Sequence, residues 1–238
     1  MLKSPIALSI ALVLATASLG MPAETAQAAT AESPKTMNPF FQISPLPFQY
    51  PQFDKIKDSD FAPAFKRGME EQTAEIAAIA NNPAAPTFDN TILAMERSGQ
   101  ILSRAALVFF NQTSANTNDA LDALDVEFSP KFAAHNDSIY LNDKLFMRIK
   151  VLYNNRNDLG LDAQGVRLVE RYYTDFVRAG ANLSEAQKTR IKAINSEMAT
   201  LTTQFSQNVL AEVNDSAIIV TDRAELAGLS DEQIAILA

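Results

Sequence analysis

Residues 166–205 read VRLVERYYTDFVRAGANLSEAQKTRIKAINSEMATLTTQF, and this stretch decides the fold. Apolar side chains recur in it at steps of three and four residues, in two runs: Val166, Val169, Tyr173 and Phe176, then Ile191, Ile194, Met198, Leu201 and Phe205. Such spacing places each run on one face of an α-helix. The stretch therefore predicts two helices, each with a narrow apolar stripe.

Between the two runs lie signals that end one helix and begin another. Gly180 can take the left-handed conformation that commonly follows a helix. Ser184-Glu185-Ala186-Gln187 is a capping box, in which the Ser and Gln side chains satisfy backbone N–H groups. We therefore expect an antiparallel helical hairpin. Its second arm, residues 184–212, would be about 40 Å long at about 1.5 Å per residue.

The same kinds of signal predict further helices upstream. The first begins at residues 58–59 and ends before Asn81-Asn82-Pro83. The second begins at residues 87–89 and ends at the polar run 111–118. Its side chains expected to point inward are Ile92, Met95, Leu102, Ala106 and Phe109.

Two features interrupt this helical pattern. A third helix begins near Thr117 and meets Pro130, which we expect to kink or divide it before residues 139–153. Ala217-Ile218-Ile219-Val220 is a short β-like run and predicts one strand. A second capping box at residues 230–233 then predicts a last helix. The predicted fold class is all-α, mainly helical, with one short strand near 217–220.

The first residues have the features of a secretory signal peptide. Lys3 precedes the apolar stretch 6–14, and Ala26-Gln27-Ala28 has the A-x-A cleavage pattern, so residues 1–28 are predicted to be removed. A permanent membrane span needs about 20 apolar residues. We therefore expect a periplasmic or secreted protein with no membrane association after cleavage.

The residues that follow the signal are rich in proline and aromatic side chains. Proline at this density disfavours helix, so residues 29–57 are predicted to form an extended strap. Because its aromatic side chains are costly to leave in water, we expect the strap to lie against the helical body. The remaining residues, 58–238, are predicted to form a single helical lobe.

Composition limits the chemistry available to this chain. It has no cysteine and one histidine, His135, in 238 residues. This excludes thiol nucleophiles, disulfides and thiolate metal sites. A zinc site or a Ser-His-Asp triad would have to use the same imidazole. The net charge of −8 repels phosphate backbones, so no nucleic-acid partner is expected.

Several residue groups could carry chemistry, and each also has a structural interpretation, which we favour. His135 could be a base or ligand, but packing or capping is the simpler role. Asp119, Asp122 and Asp125 could bind a hard cation, although they lack the loop of a calcium site. Further candidates are the acidic residues Glu70, Glu71 and Glu75, expected on a solvated face, and the pair Tyr172-Tyr173, expected in the core.

A series of different short motifs follows in order along the chain after the signal peptide. They are NPF (38–40), PQFDKI (51–56), PAF (63–65), PTFDNTI (86–92), ERSG (96–99), IYLN (139–142), LFMR (145–148), FVRAGA (176–181) and LAGL (226–229). Together they resemble the N-terminal region of bacterial peptidyl-dipeptidases, in the thimet oligopeptidase family of zinc metallopeptidases. Asp60 stands where relatives often carry a histidine.

The resemblance implies an almost entirely helical ellipsoid with a deep channel between two lobes. In that family one zinc ion lies on the channel floor, bound by an H-E-x-x-H helix and a further Glu of the C-terminal half. Such enzymes remove C-terminal dipeptides from short peptides. Because this chain has one histidine, H-E-x-x-H cannot occur in it. No catalytic, cofactor-binding or metal-binding residue can therefore be carried over.

From the resemblance we expect most of the N-terminal lobe of an exported zinc peptidase, truncated before the catalytic domain. Its partners would be short peptide substrates and the missing C-terminal half. The chain alone is predicted to bind no zinc and to be inactive. The alternative is a stand-alone helical binding or inhibitory module that has lost the catalytic half.

Overall fold

The computed structural model describes residues 37–237, which form one unit. The predicted signal peptide, residues 1–28, and the first part of the strap lie outside the described residues. The α-helices are α1 (Asp58–Ala80), α2 (Ala94–Glu96), α3 (Gln100–Ala115), α4 (Asp119–Tyr140), α5 (Asp143–Asn154), α6 (Ala163–Ala179), α7 (Glu185–Asp215) and α8 (Asp231–Leu237). A π-helical segment, Phe88–Leu93, leads directly into α2. The all-α prediction is confirmed.

The predicted strand at residues 217–220 is wrong. Residues 217–222 have no regular structure, and Ile218 and Ile219 are almost fully exposed. A strand needs a neighbour to receive its backbone hydrogen bonds. Since no other strand occurs within residues 37–237, the β-like composition of this run has nothing to pair with.

The boundaries of α1 agree with the prediction, but those of the next helices differ in two places. The predicted second helix is divided, because Gly99 adopts a φ of +68° between α2 and α3. The predicted division at Pro130 does not occur, and α4 continues through this residue. Proline leaves the carbonyl group of Val126 without its helical donor. Because Val126 is exposed, water can take that place.

The helices enclose two groups of buried apolar side chains. One is a phenylalanine-rich cluster between α1, α3 and α4, with buried residues Phe40, Phe61, Ala64, Phe65, Ala105, Val108, Phe109, Leu121 and Phe128. The other joins α1 and α2 to α5 and α6, with buried residues Ile76, Ile79, Ala80, Ile92, Met95, Ile139, Leu145, Phe146, Ile149, Leu152, Val169, Phe176 and Ala181. Helix α1 contributes to both clusters and thereby connects them.

The connection between α6 and α7 has the predicted local structure. Gly180 follows α6 with a φ of +108°, and the Ser184 side chain accepts a hydrogen bond from the backbone N–H of Gln187. The packing of the two arms differs from that of the expected hairpin. Helix α6 packs mainly on α5, and α7 packs mainly on α4. The apolar stripe of α6 is therefore in the core, whereas that of α7 is largely exposed from Met198 onward.

In the described part of the strap, residues 37–57, the first aromatic residues pack against the helices and the later ones do not. Near its start Phe40 is buried against Phe61, with ring centroids 5.3 Å apart, and the Arg104 side chain donates to the Phe40 carbonyl at 3.0 Å. Farther along, Phe48 and Tyr50 are exposed. The expected packing against the helical body therefore holds for the first aromatic residues and not for the later ones.

Candidate functional site

His135 lies on α4 and faces α1. Its ring is buried, and its Nε2 atom is 2.7 Å from Oε1 of Gln72. Burial lowers the pKa of His135, because the charged imidazolium would lose its hydration. A neutral imidazole that donates Nε2–H to an amide oxygen links two helices. The geometry thus assigns His135 the packing role favoured from the sequence.

The side chains of Asp119, Asp122 and Asp125 in α4 do not converge on a common point. Asp122 accepts a hydrogen bond from Thr117 at 2.5 Å, and Asp125 accepts one from Ser129 at 2.8 Å. Asp119 is exposed in the first turn of α4, where a carboxylate stabilises the helix dipole. Within residues 37–237 no three His, Cys, Asp or Glu side chains are grouped so that they could hold a metal ion. The described residues therefore do not fit the zinc site that the family resemblance implies.

The acidic residues of α1 lie on its outer face, and two have specific partners. Glu71 pairs with Arg67 at 2.7 Å across one helical turn. Glu75 accepts a hydrogen bond from the backbone N–H of Gly99 at 2.7 Å. This second contact fixes the junction between α2 and α3 against α1. It could not be found from helical spacing, since it depends on a loop 24 residues away.

The tyrosine pair on α6 takes part in packing. Tyr173 stacks on Tyr153 with ring centroids 3.9 Å apart, and it also stacks on Phe146. The Tyr172 hydroxyl donates to Glu96 at 2.7 Å. Burial and this hydrogen bond strongly raise the pKa of Tyr172. Both side chains thus hold α6 in place, and the Tyr172 hydroxyl is engaged by Glu96.

Two buried cations were not identified from the sequence. Arg148 of α5 donates to the carbonyl groups of Asn82 and Ala84 at 2.9 and 3.0 Å, and to Asn90 Oδ1 at 2.7 Å. Burial lowers the pKa of Arg148. A run such as LFMR gives no indication that its arginine is buried, because its acceptors all lie in another segment, residues 82–91.

Lys188 is the second buried cation, at the start of α7. Its ammonium group contacts the carboxylate of Asp143 and lies 3.4 Å from that of Glu185. Burial opposes the charge, but the hydrogen bond to Asp143 and the second carboxylate together raise the pKa of Lys188. The ion pair fixes the first turn of α7 to the first turn of α5.

Among residues 37–237, two groups of exposed apolar side chains stand out. One lies on the outer side of α7 and includes Met198 and Phe205. The other is the tip of the strap, where Phe48 is fully exposed and both Phe48 and Gln49 have positive φ values of 56° and 59°. The tip is closed by a hydrogen bond of 2.6 Å from the Ser44 hydroxyl to the Tyr50 carbonyl. The described residues therefore form a helical body that leaves apolar side chains exposed in these two places.

No family model matches the chain. Its curated relatives include a dipeptidyl carboxypeptidase of Escherichia coli, 48% identical over 85% of this chain and 30% of the relative. The dipeptidyl carboxypeptidase of Salmonella typhimurium is 47% identical over 84% of this chain and 30% of the relative. An oligopeptidase A of E. coli is 22% identical over 79% of this chain and 28% of the relative. The chain thus spans about 30% of the length of the dipeptidyl carboxypeptidases it matches.

Proposed function

We propose that this chain, which is related to peptidases and resembles the thimet oligopeptidase family, is the N-terminal part of an exported zinc metallopeptidase that releases C-terminal dipeptides from short peptides. The observation that carries this proposal is the 48% identity to dipeptidyl carboxypeptidase over 85% of the chain. Similarity at this level along one contiguous third of a long enzyme supports a shared architecture and a shared reaction.

In this proposal the chain forms part of the substrate channel and supplies no catalytic group. The zinc ligands and the general base would come from parts of the enzyme that lie outside this sequence, because the donors in residues 37–237 are scattered or engaged elsewhere. The helical body would form one wall of the substrate channel and admit only short or unfolded peptides. Its two clusters of buried apolar side chains would give that wall its rigidity.

The first test asks whether the chain alone has the activity. After signal removal, we expect the purified chain to contain far less than one equivalent of zinc by elemental analysis after dialysis against zinc. A blocked tetrapeptide incubated with it should remain intact by mass spectrometry. Chelator-sensitive release of a C-terminal dipeptide by this chain would refute the division of roles proposed here.

The second test concerns the native protein. The intact mass of the exported product should correspond to a polypeptide several hundred residues longer than this chain, because the matched stretch covers 30% of the relative. The additional sequence should contain H-E-x-x-H, and the full protein should release dipeptides in a zinc-dependent reaction. A native product no longer than this chain would instead support the stand-alone module.

A further inference from the structure

Helix α7 has its polar side inward and its apolar side outward. Three side chains of α7 make hydrogen bonds to α4: Asn195 to Asp137 at 2.7 Å, Thr203 to Ser129 at 2.8 Å, and Gln207 to the Asp122 carbonyl at 3.0 Å. Polar side chains, together with the Lys188–Asp143 ion pair at the start of the helix, thus attach α7 to the rest of the fold. An ordinary surface helix has the opposite arrangement, with its apolar stripe against the core.

The opposite side of α7 carries a stripe of large apolar residues, which we call the outer face of α7. It consists of Met198, Leu201, Phe205, Val209 and Val213, all exposed. Phe205, near its centre, has 69% of its surface exposed, and Met198 has 59%. Contiguous apolar surface of this kind usually marks an interaction site, because a stable monomer gains nothing from exposing it.

The residues around the outer face carry very little charge. No lysine or arginine occurs from residue 193 to residue 222, and this stretch contains only four carboxylates, Glu197, Glu212, Asp215 and Asp222. Depletion of charged residues is characteristic of the core of a protein interface. The surface therefore fits an apolar, uncharged partner that stays bound, and does not fit a transient charged ligand.

We infer that the outer face of α7 docks against the part of the full-length peptidase that lies beyond the matched third, and so forms a contact between the two parts of that enzyme. This inference rests on the proposed function. The dipeptidyl carboxypeptidases contain more than twice as much additional polypeptide as the stretch matched here, which supplies a partner of sufficient size. The partner segment should present apolar side chains, with few charges opposite Phe205.

A second copy of the chain suits this face less well. Two copies would each bring a net charge of −8, which opposes their association. The spacing of the stripe also changes along the helix, from steps of three and four to successive steps of four after Leu201. A long two-stranded coiled coil requires a sustained alternation of three and four. Charge and spacing therefore both disfavour self-association through the outer face of α7.

The experiment uses the full-length native protein with a photoreactive p-benzoylphenylalanine in place of Phe205. After irradiation, we expect an intramolecular crosslink to a residue that follows Ala238 in the sequence, located by peptide mass spectrometry. The matched control carries the same group in place of Ala193, an exposed residue of α7 away from the stripe, and should give little or no such product. Absence of a crosslink from position 205, or a crosslink only to another copy, would overturn the inference.

Melting temperatures provide a second test of the docking of α7 that does not depend on crosslinking. In the full-length protein, Phe205→Glu should lower the melting temperature by several degrees, whereas Ala193→Glu should leave it nearly unchanged. Equal melting temperatures of the two variants would contradict the inference.

The outcomes separate this inference from the proposed function. A longer native protein with zinc-dependent dipeptide release, but with no crosslink and no selective destabilisation, would refute the inference and leave the proposed function intact. A native protein no longer than this chain would refute the proposed function itself, and with it the proposed partner of α7.

Discussion

Buried polar residues hold together segments that are far apart in the sequence. His135 and Gln72 are 63 positions apart and meet at 2.7 Å, and Asn195 reaches Asp137 across 58 positions. Each buried donor in these pairs is matched with an acceptor, as is required when polar groups leave water. These residues therefore specify which helix faces meet, in addition to the apolar contacts that stabilise them.

The pH dependence of stability should reveal the buried state of His135. Because burial lowers its pKa in the folded protein, the unfolded chain takes up a proton first as the pH falls below about 6.5. The free energy of unfolding should therefore be constant above that pH and decrease between about pH 6.5 and 5.5, by at most about 1.4 kcal/mol per pH unit. Urea denaturation at several pH values measures this slope.

A matched variant isolates the contribution of the imidazole. His135 is the single histidine of the chain, so His135→Gln removes the side chain that titrates in this range. The variant should show a flatter profile between pH 6.5 and 5.5, whatever its overall stability. Equal slopes in the two proteins would show that His135 is not held neutral in the fold.

At the scale of elements, the junction between α2 and α3 depends on Gly99. This residue has a φ of +68°, and a Cβ atom added to it would lie 2.4 Å from the Gln72 side chain. Its backbone N–H also donates to Glu75 of α1. A single small residue thus allows two helices to meet α1 closely at this point.

Two glycine substitutions separate backbone strain from this close approach. Gly99→Ala should lower the free energy of unfolding by about 2 kcal/mol, because backbone strain adds to the cost of moving the Gln72 amide away from His135. Gly160→Ala, at a φ of +66° with no neighbouring atom within 4 Å, should cost about 1 kcal/mol from strain alone. Denaturant titrations of both variants measure the difference, and equal losses would contradict a tight contact at Gly99.

The predicted elements differ in how well local sequence determined them. Capping residues and helix ends at Ser184, Gly180 and residues 58–80 were predicted correctly, because these signals act within one or two turns. The break at Gly99 and the continuity of α4 through Pro130 were not. Glycine and proline make a helix less favourable at their position by an amount that tertiary contacts and access to water can offset. Their presence alone therefore does not determine where a helix ends.

At the scale of the whole molecule, Arg148 connects α5 to the segment between α1 and α2. Its guanidinium group donates to Asn82 and Ala84 in the connection that follows α1, and to Asn90 in the π-helical segment. Because the acceptors surround a rigid planar donor, a flexible lysine could not replace it. One side chain thereby links α5 to four acceptors in residues 82–91.

Replacement of this arginine should be strongly destabilising. Arg148→Met removes the charged hydrogen bonds to Asn82, Ala84, Asn90 and Thr91, so we expect the free energy of unfolding to fall by about 2–4 kcal/mol. Arg167→Met is the control, because that side chain is 79% exposed and its ion pair should contribute no more than about 0.5 kcal/mol. Chemical denaturation monitored by circular dichroism tests both, and a small effect at Arg148 would contradict the role assigned to the network.

The sequence by itself determined that the described chain is helical, where most helices begin and end, and which chemistry the chain lacks. Helical period, caps and composition are local properties, so they can be derived without knowing which residues meet. The same is true of the resemblance to peptidases, whose motifs lie along one register of the chain.

Only the tertiary structure decided which face of each helix is buried. The apolar stripes of α6 and α7 have similar spacing, yet that of α6 packs against α5 and that of α7 faces outward. Periodicity reveals that a face is apolar, but what covers it depends on the surfaces that distant segments present. For the same reason the partners of His135, Glu75 and Arg148 were beyond sequence reasoning, since each contact joins residues that are neighbours only in the folded chain.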